Sequence, residues 1–264
     1  MNTGNFTNSV LKLERAEEIL VEIEAKMKTD PPYLYVLETD ASTHQRATLA
    51  KKNSDSLDRL VIRCGELFHN LRSAIDQAYF EAISPNLPQE KHKAIQFPIS
   101  KDSASYEQTI RSRQGDKAGQ EFFEALKSLK AYHGEGGNFI LVLLHEVNVG
   151  DKHKFPTPAG NFSRIDSRMI QEQIPDFPGG LTDCGAGMSK KDVVWTSRMY
   201  NPKEIGAVLP PFMHIYQKAI DVLVETWFYI DSPRHEGEVL ETLRSLINEV
   251  ARSLDILRSA LKSA

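Results

Sequence analysis

Four side chains in GELFHNLRSAID (65–76), namely Glu66, His69, Arg72 and Asp76, recur at steps of three, three and four. On a helix such residues rise on successive turns and can act together. A histidine in that setting serves as general acid or base, an arginine holds an anion, and an aspartate orients the imidazole or retains the arginine. His69, Arg72 and Asp76 are therefore the candidate catalytic residues, and Arg63, Glu66 and Asn70 of the same stretch the candidate binding residues. A solvated or interhelical salt-bridge ladder produces the same pattern, so both readings stand at this point.

A second group crowds into LHEVNVGDKHKF (144–155), which holds His145, Glu146, Asn148, Asp151, Lys152 and His153. Asp151, Lys152 and His153 are the candidate binding residues there; the same side chains also suit a helix C-terminus, where cations offset the helix dipole. The spacing matches no established ligand pattern such as HExxH, so no metal and no other cofactor is assigned. The chain has no GxGxxG, GxxxxGK[ST] or GxSxG motif. Polar clusters on otherwise apolar helices are most economically satisfied by one another. The expectation is that His69 and Asp76 lie close to Asp151 or His153.

The elements that must position these residues follow from periodicity. Val10, Leu13, Ala16, Leu20, Ile23 and Met27 recur by threes and fours until Pro31 and Pro32, which predicts a first helix over 8–28. Ser54 or Asp55 opens a proline-free stretch ended by Pro85, with Leu57, Leu60, Cys64, Leu67, Phe68, Leu71, Ile75 and Tyr79 on one broad arc. That predicts a long central helix over 54–84. Further helical patterns fall within 103–150 and 237–262. YLYVLETD (33–40) and the stretch after it read as a hairpin over 33–52, and runs such as DVVWTSRMY suggest a β-rich insertion over 155–231. The expected class is α+β: one composite domain over 1–264, a long-helix bundle carrying an N-terminal β-hairpin and a β-rich insertion before the last helix.

Composition bounds the rest. The 264 residues are 41% hydrophobic and 26% charged, which rules out global disorder. A formal net charge of −4 supplies no overall positive field toward nucleic acid or an anionic membrane. The opening MNTGNFTNSV has no charged start followed by an apolar run, so export is not expected. The longest charge-free apolar run, Phe139 to Leu144, is far too short to span a bilayer, and no membrane partner is expected. Cys64 and Cys184 suit a reducing cytoplasm. An apolar margin on the central helix would permit a homodimer.

GELFHNLRSAID, then FPI (97–99), then LHEVNVGDKHK (144–154) together resemble a family of uncharacterised bacterial and phage-associated proteins. The family's signature is close to HNLRSALDH, FPI and an Asn-rich DKHR segment, and no activity comes with it. More distantly, the stripe resembles the HEPN superfamily, helical bundles many of which cut RNA without metal, using an arginine and a histidine a few residues apart on one helix. That resemblance implies an RNA-binding or metal-independent RNA-cleaving protein, serving defence or a mobile element. It pairs Arg63 with His69; the form RSALDH would instead pair Arg72 with position 77, which here is Gln77 and cannot take and return a proton. Two other classes remain open: a non-catalytic cytosolic interaction or structural protein, and a metal-dependent enzyme using the His69/Asp76 and Asp151/His153 clusters.

Overall fold

The computed structural model describes residues 6–40, 45–153, 159–165, 168, 184–186, 191–198, 216–220, 225–231 and 234–263, with side chains for 6–32, 53–149, 168, 226, 228 and 237–262. Among the described residues, six α-helices of ten or more residues follow in chain order: α1 (Thr7–Thr29), α2 (Ser54–Ile83), α3 (Ser103–Ser112), α4 (Gln120–Leu129), α5 (Phe139–His153) and α6 (Val239–Ser263).

Each helix begins or ends where local chemistry dictates. Asn53 caps α2, its side chain accepting from Ser56 N at 3.3 Å, and Asp55 sits in the first turn, where a carboxylate favours the helix dipole. Asp102 caps α3 in the same way. Between α3 and α4 the chain makes a 3-10 turn (Gly115–Ala118), followed by Gly119 at φ 100°, a conformation that other residues avoid.

Helix α2 runs through the middle. Leu57, Leu60, Cys64, Leu67, Phe68, Leu71, Ile75, Ala78 and Tyr79 are all buried, which matches the apolar arc read from their spacing. Ala16, Ile19, Leu20 and Ile23 of α1 and Leu243, Leu246, Val250, Leu254 and Leu257 of α6 close on the same core. Phe122, Phe123, Leu126 and Leu129 of α4 and Leu141, Leu143, Leu144 and Val147 of α5 complete it. No helix among the described residues is long and apolar enough to cross a membrane.

The expected α+β class is overturned. Helical residues make up 80% of those described with their side chains, and the molecule is a helical bundle. From 155–231, the described side chains contribute two residues to the interior, Thr226 and Phe228, the latter with its ring 6.0 Å from that of Phe68. The hairpin and the β-rich insertion therefore do not define the fold. Extended backbone does run over Tyr33–Asp40 and Gln45–Lys52, paired antiparallel, and over short segments between Ala159 and Glu238. The physical reason is that alternation and β-branched residues report a local backbone preference, whereas class is decided by which surfaces bury one another. Here the helices' apolar arcs bury one another.

Candidate functional site

Helix α2 carries the proposed stripe, and its turns divide the stripe between two environments. Arg72 is buried, 4% exposed. Its guanidinium donates twice to Asp76, from Nε to Oδ2 and from Nη2 to Oδ1, both at 2.9 Å. Nη2 also donates to the carbonyl of Phe97 at 3.1 Å, and the Phe97 amide donates to Asp76 Oδ1 at 3.0 Å. The guanidinium lies 5.7 Å from the centre of the Phe97 ring. Two side chains at i and i+4 thus clamp both backbone groups of the first residue of FPI. An extended segment has no ladder of its own, and this clamp satisfies its buried polar groups.

The FPI segment continues to Ser100, whose amide donates to the Ala131 carbonyl at 3.0 Å while His133 N donates to the Ser100 carbonyl at 3.0 Å. That bridge holds His133 close to α5, where its Nε2 lies 3.4 Å from Glu146 Oε1. Helix α5 is anchored at its start by Asn138, which accepts from Leu141 N at 3.2 Å and donates to Glu249 of α6 at 2.6 Å. Two turns on, His145 sits between α2 and this bridge. Its Nδ1 is enclosed and has no hydrogen-bond partner among the described residues.

Burial lowers the His145 pKa to about 4, with the positive charge of Arg72 adding to the effect, Asp76 opposing it, and His133 and Arg113 reinforcing it. The imidazole is neutral at pH 7. His145 of α5 thus lies within electrostatic reach of Arg72 and Asp76, the pair that holds Phe97.

The other half of the stripe faces α1. Arg63 pairs with Glu66 at 2.7 Å and with Glu22 of α1 at 3.3 Å. Glu22 also pairs with Arg15 at 3.0 Å. Asn70 donates to the Glu66 carbonyl at 2.8 Å and accepts from Lys12 Nζ at 3.2 Å. These groups are largely exposed and form a ladder across the α1–α2 seam. His69 lies between the two halves, exposed and with no hydrogen bond or ion pair among the described residues. Gln77, exposed, lines a cleft with Asn8 and Leu11 of α1.

His69, Arg72 and Asp76 therefore do not form one catalytic group: Arg72 and Asp76 face inward to Phe97 and His69 faces out. The backbone of Asp151, Lys152 and His153 completes α5, and their side chains lie outside the described residues, so their approach to His69 or Asp76 is not part of the geometry. Among the described residues no three histidine, cysteine or carboxylate side chains are placed to hold a metal ion. Sequence reasoning placed His145 in the second cluster but chose its neighbours six to eight residues on as the binding groups. His133, Arg113 and the backbone of Phe97 carried no periodic signal; FPI was visible as a motif, but its role needs the clamp.

No protein family, curated protein or solved structure matches the chain.

Proposed function

We propose that this chain is a non-catalytic helical interaction protein of the cytoplasm, and that its HNLRSAID stripe serves to hold the fold. The observation that carries this reading is the state of Arg72: buried, with its Nε and Nη2 donating to Asp76 and the Phe97 carbonyl. An arginine that stabilises a phosphate in a transition state must present free donors to it. Releasing Arg72 would leave Asp76 and a buried carbonyl without their partner, at a cost of several kcal/mol.

A second reading has one observation in its favour. His69 is exposed and without a partner among the described residues, and Arg63 on the same helix is held by exposed ion pairs, which cost about 1 kcal/mol or less to break. An HEPN-like RNA-binding or RNA-cleaving protein could use these two, the histidine assisting removal of the ribose 2′-hydroxyl proton and the arginine stabilising charge on the phosphate.

The discriminating experiment is an RNA cleavage assay of wild type, His69→Ala and Arg63→Ala, with and without chelator. The interaction reading expects no turnover in any arm. Cleavage that survives chelator and falls about 100-fold in His69→Ala would replace it with the RNA reading. Loss in chelator with rescue by a divalent ion would replace it with a metal-dependent enzyme.

A further inference from the structure

The α1–α2 seam has one face left open. Two clefts lie along it, of about 720 Å³ and about 360 Å³. The larger is bounded by Glu22 and Lys26 of α1 and by Arg59, Ile62, Arg63 and Glu66 of α2. The smaller is bounded by Asn8, Leu11, Lys12 and Arg15 of α1 and by Asn70 and Gln77 of α2. Among the lining positions, 8, 11, 12, 15, 22, 26 and 29 of α1 fall within about 100° of one another around the helix axis, as do 59, 62, 63, 66, 70 and 77 of α2. Both clefts therefore open on the same face of the helix pair.

Each cleft has one large aliphatic side chain exposed at its wall, Leu11 at 56% and Ile62 at 57%. The Arg63–Glu22 pair sets Ile62 level with position 22 of α1, about eleven residues or three helical turns from Leu11, roughly 16 Å. The charges along the face are unequally committed. Glu22 and Glu66 are both engaged by Arg63, and Lys26 pairs with Asp30 at 3.1 Å. Among the described residues, Lys12 has a hydrogen bond to Asn70 and no ion pair, and Arg59 has no hydrogen bond or ion pair, although its charge acts on Asp30. The face thus offers two apolar contacts three turns apart, each beside a cation that makes no ion pair among the described residues, Lys12 near Leu11 and Arg59 near Ile62.

We propose that this face docks an acidic amphipathic helix from a partner protein, with aliphatic side chains three turns apart seated against Leu11 and Ile62 and carboxylates meeting Lys12 and Arg59. The inference rests on the interaction-protein reading and supplies its partner class. The two linings carry five cations, Lys12, Arg15, Lys26, Arg59 and Arg63, against two carboxylates, Glu22 and Glu66, so a second copy docking by the same face would meet an excess of like charge, and charge favours an acidic occupant.

The test uses the full chain and a fluorescent helix-forming peptide of about 18 residues, with two leucines about eleven positions apart and glutamates beside them. The expected result is saturable binding, weakened about tenfold or more by Ile62→Gln, by Leu11→Gln and by Arg59→Glu, and weakened further by added salt. All three substitutions are at surface positions, and unchanged circular dichroism and melting temperature verify that the variants are folded. No saturable binding up to about 1 mM peptide overturns the proposal, as does equal binding of a lysine-for-glutamate peptide. A concentration-dependent dimer abolished by Ile62→Gln would also overturn it, in favour of a second copy. These outcomes are independent of the RNA assay: turnover there would remove the functional reading, whereas failure of the peptide to bind would remove this face alone.

Discussion

The two halves of the α2 stripe use the same residue types, arginine and carboxylate, at the same helical spacings, and put them to opposite uses. Toward α1, Arg63 bridges Glu22 and Glu66 where side chains are 42–45% exposed, so water competes with every bond. Toward FPI, the Arg72 side chain is 5% exposed and its bonds to Asp76 and the Phe97 carbonyl take the place of solvent around the guanidinium, while Asp76 keeps a 32% exposed edge. Exposed pairs in high dielectric contribute about 0–1 kcal/mol, whereas removing one partner of a buried pair leaves an uncompensated charge. A charge ladder read from spacing alone is thus two devices, and burial decides which residues are structural.

The sharpest way to break this contrast is Arg72→Leu. It leaves Asp76 and the Phe97 carbonyl without their donor, and we expect a loss of about 3 kcal/mol or more in urea unfolding, with loosening of the FPI segment toward hydrogen exchange. A double-mutant cycle over Arg72 and Asp76 should show strong coupling; a near-zero coupling would reduce the clamp to another surface pair.

Next in size is the acid response of His145. Its folded pKa is lowered to about 4 against an ordinary 6.5, so the unfolded chain binds the proton more readily. The stability that the neutral imidazole contributes is complete above pH 6.5 and is lost as pH falls through about 4. Thermal melts over that range should fall more steeply for wild type than for His145→Gln, and parallel curves would separate His145 from the clamp.

The smallest effect is expected in the seam. Glu22→Gln or Arg63→Ala should change stability by about 0.5 kcal/mol or less, and 1 M salt should erase the difference. A loss comparable to that of Arg72→Leu would mean that the seam is as desolvated as the clamp.

Much of this arrangement was legible in advance, and the rest was not, for identifiable reasons. The extents of α1 and α2 follow from apolar residues at threes and fours bounded by Pro31, by Ser54 or Asp55, and by Pro85, and the structure places them at Thr7–Thr29 and Ser54–Ile83. The α+β class failed because strand-like runs were counted as layers before anything showed what they cover. The surroundings of the stripe were not legible for another reason: spacing puts His69, Arg72 and Asp76 within one sector of the helix, but a sector at the margin of an apolar arc can face solvent or a neighbour. Nothing in residues 65–76 says that FPI, more than 20 residues on, will lie against Arg72.

By itself, the sequence determined the helices, because 3.6-residue periodicity and caps are local properties. It also determined which side chains could carry charge chemistry. Tertiary structure alone decided that Arg72 is locked and His69 open, that His145 is neutral, and that Lys12 and Arg59 make no ion pair among the described residues. The reason is physical: dielectric, desolvation and hydrogen-bond partners are set by elements distant in the chain, and no local pattern encodes them.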